Sequence, residues 1–85
     1  MSDLKARFDQ ATKDIQSLPK RPGNDTLLRL YALYKQGSDG DVSAPKPGFF
    51  DFVGTAKYEA WAKRKGTPSD QAMQEYVDLA AKLTA

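Results

Sequence analysis

Residues 30–41 read LYALYKQGSDGD, and this stretch combines a helix with the turn that ends it. Helical spacing of three and four residues places Tyr31, Tyr34 and Lys35 on one face. Two phenol rings beside an ammonium can stack on a flat ring and neutralise an anion. From Gly37 onward the residues favour turns, so the helix is predicted to end there. The competing interpretation is that both tyrosines are half-buried core residues and that Lys35 is solvated.

The composition excludes several classes of protein before any motif is considered. The chain has 85 residues, a net charge of +2 and neither cysteine nor histidine. The expectation is a single domain over residues 1–85 that binds its ligand at a surface or in a groove. Disulfides, thiolate chemistry and the commonest metal ligands are ruled out, so no metal site is predicted. The weak, interleaved charge argues against nucleic-acid binding, and no apolar run predicts stable membrane insertion.

Apolar residues at steps of three and four predict an amphipathic first helix. They are Leu4, Phe8, Ala11, Ile15 and Leu18. Ser2 or Asp3 is expected to cap this helix, and Pro19 is expected to stop it. Asn24 or Asp25 is expected to cap the second helix, which continues into the stretch already described.

Residues 37–53 are predicted to be irregular, since they contain three glycines and two prolines. Three phenylalanines near the end of this loop argue against disorder. Phe49, Phe50 and Phe52 are expected to plug the core, with direct ligand contact by Phe49 or Phe50 as the alternative.

A third helix is predicted from Asp51 or Phe52 to Lys65, with Gly66 as its cap. Its terminal cations are explained by the helix dipole better than by a phosphate site. The fourth helix is predicted to begin with Thr67 as cap and Pro68 in the first turn. Apolar residues then follow at helical spacing, at Ala72, Met73, Tyr76, Val77, Ala80 and Leu83. Without any strand-like alternation, the predicted fold class is all-α with four helices.

Several motifs occur together in a fixed order: YALYKQ at 31–36, GD at 40–41, PGFFD at 47–51, AKYEAW at 56–61, GT at 66–67 and Tyr76. In order and spacing, and over essentially the whole chain, the sequence resembles the acyl-CoA-binding protein family. The resemblance implies a four-helix bundle with up-down-down-up topology. It also implies a 1:1 complex with a long-chain acyl-CoA, formed in the cytoplasm by a monomer without catalysis. Enzymes that use acyl-CoA would then be partners, and no cofactor would be needed.

The resemblance also implies roles for individual residues. Tyr31, Lys35 and Lys57 match residues that surround the 3′-phosphate of CoA, and Tyr34 and Tyr76 match tyrosines that line the nucleotide and acyl site. The chain departs from the family at two places, because Gln16 and Val53 stand where many members carry lysine. Fewer cations would then face the phosphates, so affinity or chain-length preference is expected to differ.

Two other functions are compatible with a small helical protein. A helical protein-interaction or regulatory module would use the aromatic loop as its docking surface and would not be stabilised by a ligand. An enzyme would need acid–base or nucleophilic groups, and no carboxylate pair or Ser–Lys pair is evident in the sequence.

Overall fold

Four α-helices make up the computed structural model, which describes residues 3–85. They are α1 (Asp3–Gln16), α2 (Asn24–Asp39), α3 (Phe52–Ala62) and α4 (Ser69–Thr84). Between residues 3 and 85 there is no strand. The predicted all-α four-helix bundle with up-down-down-up topology is confirmed. In the described chain α4 packs on both α1 and α2, whereas α3 packs on α2 alone.

The core lies where α1, α2 and α4 meet. The apolar stripes that the spacing predicts face inward, and α1 and α2 each pack against α4. Its buried members are Phe8, Ala11, Leu30, Leu33, Ala72, Tyr76 and Ala80. Ile15, Leu27, Met73, Val77 and Leu83 pack around this cluster. The helices are thus held chiefly by side chains that the sequence pattern identifies as apolar and inward-facing.

Gly37 is not the start of the turn but a buried residue inside α2. A Cβ at this position would lie 3.1 Å from Cγ of Met73 and 3.3 Å from Cζ of Phe8. The glycine therefore lets α1 and α4 approach α2 closely. The helix continues to Asp39, and the turn is made by Gly40, whose φ of 84° suits glycine.

Two of the predicted helix caps, those of α2 and α4, are corrected by the structure. Neither Asn24 nor Asp25 caps α2, because the helix already begins at Asn24 and the cap position is occupied by Gly23. Thr67 does not cap α4, since extended Pro68 holds that position and no side chain bonds there. At the first helix, Asp3 lies within the first turn of α1. Ser2, the other candidate for that cap, lies outside the described residues.

Both ends of α3 can be compared with the prediction. Asp51 caps the helix through its Oδ1, which accepts the Gly54 N–H at 2.9 Å. The helix ends at Ala62 rather than at Lys65. The three basic residues Lys63, Arg64 and Lys65 form a turn that closes at Gly66, where φ is 91°. Its Arg64 reaches Glu75 of α4 at 3.3 Å, so the turn is tied to the last helix.

The phenylalanines of the α2–α3 loop do not enter the core, contrary to expectation. Phe49, Phe50 and Phe52 have exposed fractions of 84%, 82% and 74%. The core is already filled by α1, α2 and α4, and Trp61 is the buried side chain of α3. The core cluster of the described chain contains no residue of this loop. No helix among residues 3–85 is long and apolar enough to cross a membrane.

Polar contacts fix the start of the α2–α3 loop. Buried Gln36 donates through Nε2 to Oδ1 of Asp41 at 2.8 Å and to the Thr67 carbonyl at 2.9 Å. The same Asp41 oxygen accepts the Gly66 N–H at 2.8 Å. Trp61 donates through Nε1 to the Gly40 carbonyl at 2.8 Å. The end of α2 is thereby joined to α3 and to the turn before α4.

Candidate functional site

A groove of about 780 Å³ contains residues of all four helices. This volume falls within the usual range for small-molecule sites. The groove is lined by Thr12, Ile15, Gln16, Arg21, Asn24, Leu27, Leu28, Leu30, Tyr31, Tyr34, Phe52, Val53, Ala56, Lys57 and Tyr76. Most of these side chains are aliphatic or aromatic. Its charged lining residues in the described chain are two cations, Arg21 and Lys57, and no carboxylate.

Tyr31 and Lys57 meet at the junction of α2 and α3. The Lys57 Nζ lies 5.4 Å from the centroid of the Tyr31 ring, a distance at which an ammonium is attracted by the face of a phenol. The contact brings together two residues far apart in sequence, because α3 packs directly on α2. It leaves a hydroxyl and an ammonium beside the apolar lining.

Tyr34 and Tyr76 form an aromatic cluster with Phe8. The Tyr34 ring stacks on Phe8 with centroids 5.8 Å apart, and Tyr76 meets Phe8 edge-on at 5.2 Å. Tyr34 is 42% exposed, whereas Tyr76 is buried. Burial, reinforced by the neighbouring Tyr34, raises the pKa of the Tyr76 phenol above its ordinary value of 10.0. Tyr76 is therefore neutral and can act as a hydrogen-bond donor.

Lys35 is held by residues outside the groove lining. It forms an ion pair with Asp39 one turn later on α2, and its Nζ lies 4.9 Å from the centroid of the Trp61 ring. The hydrogen bond to Asp39 raises the pKa of Lys35, although partial burial opposes this shift. Four of the five predicted site residues thus line the groove, and Lys35 lies outside its lining.

Gln16 and Val53, the two departures from the family pattern, both line the groove. Gln16 is the last residue of α1 and Val53 is in the first turn of α3. Two neutral side chains therefore occupy positions from which lysines could face an anionic ligand.

Arg21 is a groove residue that the sequence interpretation did not identify. It lies in the connector between α1 and α2, where no helical periodicity assigns a direction to a side chain. A cation between Pro19 and Pro22 was the available signal. The position of the connector beside the groove depends on the tertiary structure of the bundle.

A second cavity of about 520 Å³ lies between α2 and α3. Cations and carboxylates both line it, among them Arg29, Lys63, Asp25 and Glu59. This mixed charge does not favour an anionic ligand. Among residues 3–85 no three potential metal-ligating side chains cluster together.

Comparison with known proteins agrees with this architecture. Residues 5–80 match the family model described as acyl CoA binding protein. The chain is 48% identical to the acyl-CoA-binding protein homolog of Drosophila melanogaster over 79 residues, which cover 93% of this chain and 92% of that relative. The crystal structure of the protein named ACBP from Moniliophthora perniciosa is similar, with a TM-score of 0.88 and 41% identity. That match covers 98% of this chain and 80% of that one.

The same sequence is also similar to part of a longer protein. Over 78 residues it is 47% identical to enoyl-CoA delta isomerase 2 of Rattus norvegicus, in a match that covers 92% of this chain. The chain spans only 20% of that relative's length. The family match covers most of the chain, and the similarity to the Drosophila relative extends over nearly all of both proteins. The chain therefore belongs to the acyl-CoA-binding protein family.

Proposed function

We propose that this protein binds medium- to long-chain acyl-CoA thioesters in a 1:1 complex, and that it stores and transports them without catalysis. One observation carries the proposal: an apolar groove lined by two cations, three tyrosines and no carboxylate among the described residues. An acyl-CoA has the matching chemistry, since it joins an apolar chain to a flat purine and several phosphates.

The groove provides apolar area for the acyl chain. Each methylene removed from water contributes ~0.8 kcal/mol, so a chain of sixteen carbons gains on the order of 10 kcal/mol before ordering costs. Ile15, Leu27, Leu28 and Leu30 supply aliphatic lining for such a chain. Chain length therefore sets much of the affinity.

The polar side of the groove recognises the CoA head. Lys57 and the Tyr31 hydroxyl form charge-assisted hydrogen bonds to the 3′-phosphate, each worth ~1.5–3 kcal/mol. Lys35 joins them once it leaves, or shares, its Asp39 partner. Tyr34 and Tyr76 contact the nucleotide and the start of the acyl chain. Arg21 adds a cation on the connector side.

The proposal includes the absence of catalysis. The sequence contains no histidine and no cysteine, and the groove presents no carboxylate in the described chain. The usual general bases and thiol nucleophiles are therefore missing where the thioester would lie. We further propose that residues 1–85 act as one acyl-CoA-binding domain. The domain would work as a cytoplasmic monomer without a cofactor, and would pass its ligand to enzymes that use acyl-CoA.

Isothermal titration with palmitoyl-CoA, below its micelle concentration, tests the proposal. We expect 1:1 binding of the thioester, with free CoA and palmitate each binding much more weakly. If none of the three bound or stabilised the protein, the alternative of a helical interaction module would replace the carrier function. If palmitate bound as tightly as palmitoyl-CoA, the head-group role of the lysines would be wrong.

Lys57→Ala tests the assignment of the phosphate contacts. The loss of one charge-assisted contact should weaken palmitoyl-CoA binding by about tenfold or more. Stability should hardly change, because Lys57 is exposed. Lys82→Ala is the matched control, because it removes the same charge at a position on α4 outside the groove lining. Equal affinity of the two variants would contradict the role of Lys57.

A further inference from the structure

We propose that Phe49, Phe50, Phe52 and Val53, here called the aromatic tip, dock onto the interface of a phospholipid bilayer and present the groove to the membrane. The tip joins the end of the α2–α3 loop to the start of α3.

The tip contains four of the five large hydrophobic residues that are exposed in the described chain. Its side chains are exposed by 84%, 82%, 74% and 68% in sequence order. Besides them, Tyr34 is the large hydrophobic residue exposed among residues 3–85. Four neighbouring apolar side chains in water are unfavourable unless a partner covers them.

The local backbone holds the tip outward. The Asp51 N–H donates to the Gly48 carbonyl at 3.0 Å, which closes a turn with Phe49 and Phe50 at its centre. Asp51 then directs its Oδ1 to the N–H of Gly54 and caps α3. The two central rings lie edge to face with centroids 5.0 Å apart. The carboxylate within the tip is thus engaged by its own helix.

The tip is continuous with the groove. Phe52 and Val53 belong to the groove lining, whereas Phe49 and Phe50 do not. Phe52 and Val53 therefore border the groove, whereas Phe49 and Phe50 are available to contact a surface outside it. A surface that covers the tip would therefore lie at the entrance of the groove.

Charges near the tip match an anionic lipid surface. Lys57 and Arg21 line the groove that the tip borders, and Lys46 lies in the same loop. The acidic neighbour of Lys46 is Glu59, at 3.7 Å in an exposed pair. Such a pair is weak and rearranges readily. Aromatic rings flanked by basic side chains are typical of segments that lie at the headgroup level of a membrane.

The size of the tip favours a membrane over a protein partner. At ~200 Å² for each phenylalanine, the tip exposes on the order of 500 Å² of apolar area. A stable protein interface covers ~800 Å² on each partner. The smaller area suffices for a reversible interfacial contact, in which a few aromatic rings enter the headgroup region.

Docking of this kind deepens the proposed function. The biological role of the docking rests on the proposed function: an acyl-CoA whose chain lies in a bilayer would pass directly into the groove. Vesicle binding by the ligand-free protein is measured independently of acyl-CoA affinity. The two proposals can therefore fail separately.

Flotation with phosphatidylcholine vesicles, with and without phosphatidylglycerol, tests the docking. We expect the wild type to float with the vesicles, more strongly when phosphatidylglycerol is present, and the Phe49→Ser/Phe50→Ser double variant to bind about tenfold more weakly. Titration with palmitoyl-CoA in solution should give the same affinity for both proteins, because neither substituted residue lines the groove. Circular dichroism checks that the variant remains folded.

The contribution of basic side chains near the tip to vesicle binding is tested with one further pair of variants. Lys46→Ser should reduce binding to the anionic vesicles, whereas Lys82→Ser on α4 should not, since α4 makes no contact with α3 in the described chain. The proposal is overturned if the wild type does not float with either vesicle, or if the double variant floats as well as the wild type. Loss of palmitoyl-CoA binding by the folded double variant would also overturn it, because the two rings would then be ligand contacts.

Discussion

Asp41 makes the fold sensitive to acid. Its carboxylate accepts hydrogen bonds from the Gly66 N–H and the Gln36 amide, and these contacts lower its pKa below the usual 3.8. A lowered pKa in the folded state contributes stability that is complete above the unfolded value. That stability is lost as pH falls through the folded value.

Asp41→Asn removes this contribution. We expect the variant to be less stable than the wild type near neutral pH, and the difference to shrink as the pH falls below 3.8. Urea unfolding at a series of pH values measures both effects. Asp78→Asn is the control, since Asp78 is exposed on α4 and bonds to Gln74 of its own helix. A constant gap between Asp41→Asn and wild type at every pH would contradict the linkage.

Lys35 is a residue whose partner limits its role. The hydrogen bond to Asp39 raises the pKa of Lys35 and engages its ammonium. Asp39→Asn should release it and remove a negative charge, so palmitoyl-CoA should bind about threefold more tightly at low salt. Calorimetry of the single variant and of Lys35→Ala/Asp39→Asn checks this. The gain must vanish in the double variant if it acts through Lys35.

The positions of the α2 site residues could be predicted from the sequence only in part. The spacing of Tyr31 and Tyr34 correctly places both on the face that becomes the groove, because helical geometry is local. The same spacing groups Lys35 with them, but it does not show that Asp39 binds the Lys35 ammonium one turn later. The sequence predicts that Gly37 ends the helix. Its actual role, which is to make room for Phe8 and Met73, depends on tertiary packing and has no local signal. The assigned contacts of these residues with acyl-CoA stay predictions.

Among the helices, α3 depends on a single buried side chain. Trp61 is its buried residue, and its Nε1 donates to the Gly40 carbonyl beyond the end of α2. Because α3 packs only on α2 in the described chain, the groove wall that carries Lys57 relies on this attachment.

Trp61→Ala should destabilise the protein by ~3–5 kcal/mol, as expected for a large buried aromatic residue. Trp61→Phe keeps most of the packing but leaves the Gly40 carbonyl without its donor, so we expect a loss of ~1–2 kcal/mol. Urea unfolding measures both values. Tyr58→Phe on the same helix is the control and should change stability by less than ~0.5 kcal/mol. Equal effects of Trp61→Phe and Tyr58→Phe would show that the hydrogen bond contributes nothing.

At the scale of the elements, the sequence predicted the helices better than their ends. Apolar periodicity identifies α1, α2 and α4 because burial selects one face of each, whereas α3 buries Trp61 and is predicted from the residues at its ends. Caps are decided by a few backbone angles, and Pro68 rather than Thr67 takes the position before α4. The exposure of Phe49 and Phe50 could not be read from composition, since apolar residues usually predict burial and exposure depends on what already fills the core.

For the whole molecule, charge placement matters more than the small net charge of +2. Gln16→Lys would add a cation to the groove lining. We expect palmitoyl-CoA affinity to rise a few-fold at low ionic strength and the gain to fall as salt screens it. Gln10→Lys makes the same change on the same helix outside the lining, and should leave affinity unaltered. If both variants gained equally, net charge rather than position would be responsible.

The overall architecture was predicted from the sequence, but the composition of the groove was only partly so. Three amphipathic segments, the helix-end signals around α3 and a family resemblance suffice for a four-helix bundle. Arg21 enters the lining through the connector between α1 and α2, and no local sequence pattern predicts the path of that connector.

Trp61 has a consequence for how the molecule can be observed. It is the single tryptophan of the chain, it is buried, and its indole is held by Gly40 and covered by Lys35. It does not belong to the groove lining. Its fluorescence therefore reports whether α3 is seated on α2 and whether Lys35 keeps its place over the indole ring. One unmodified side chain can thus signal both unfolding and the movement of Lys35 that the proposed phosphate contact requires.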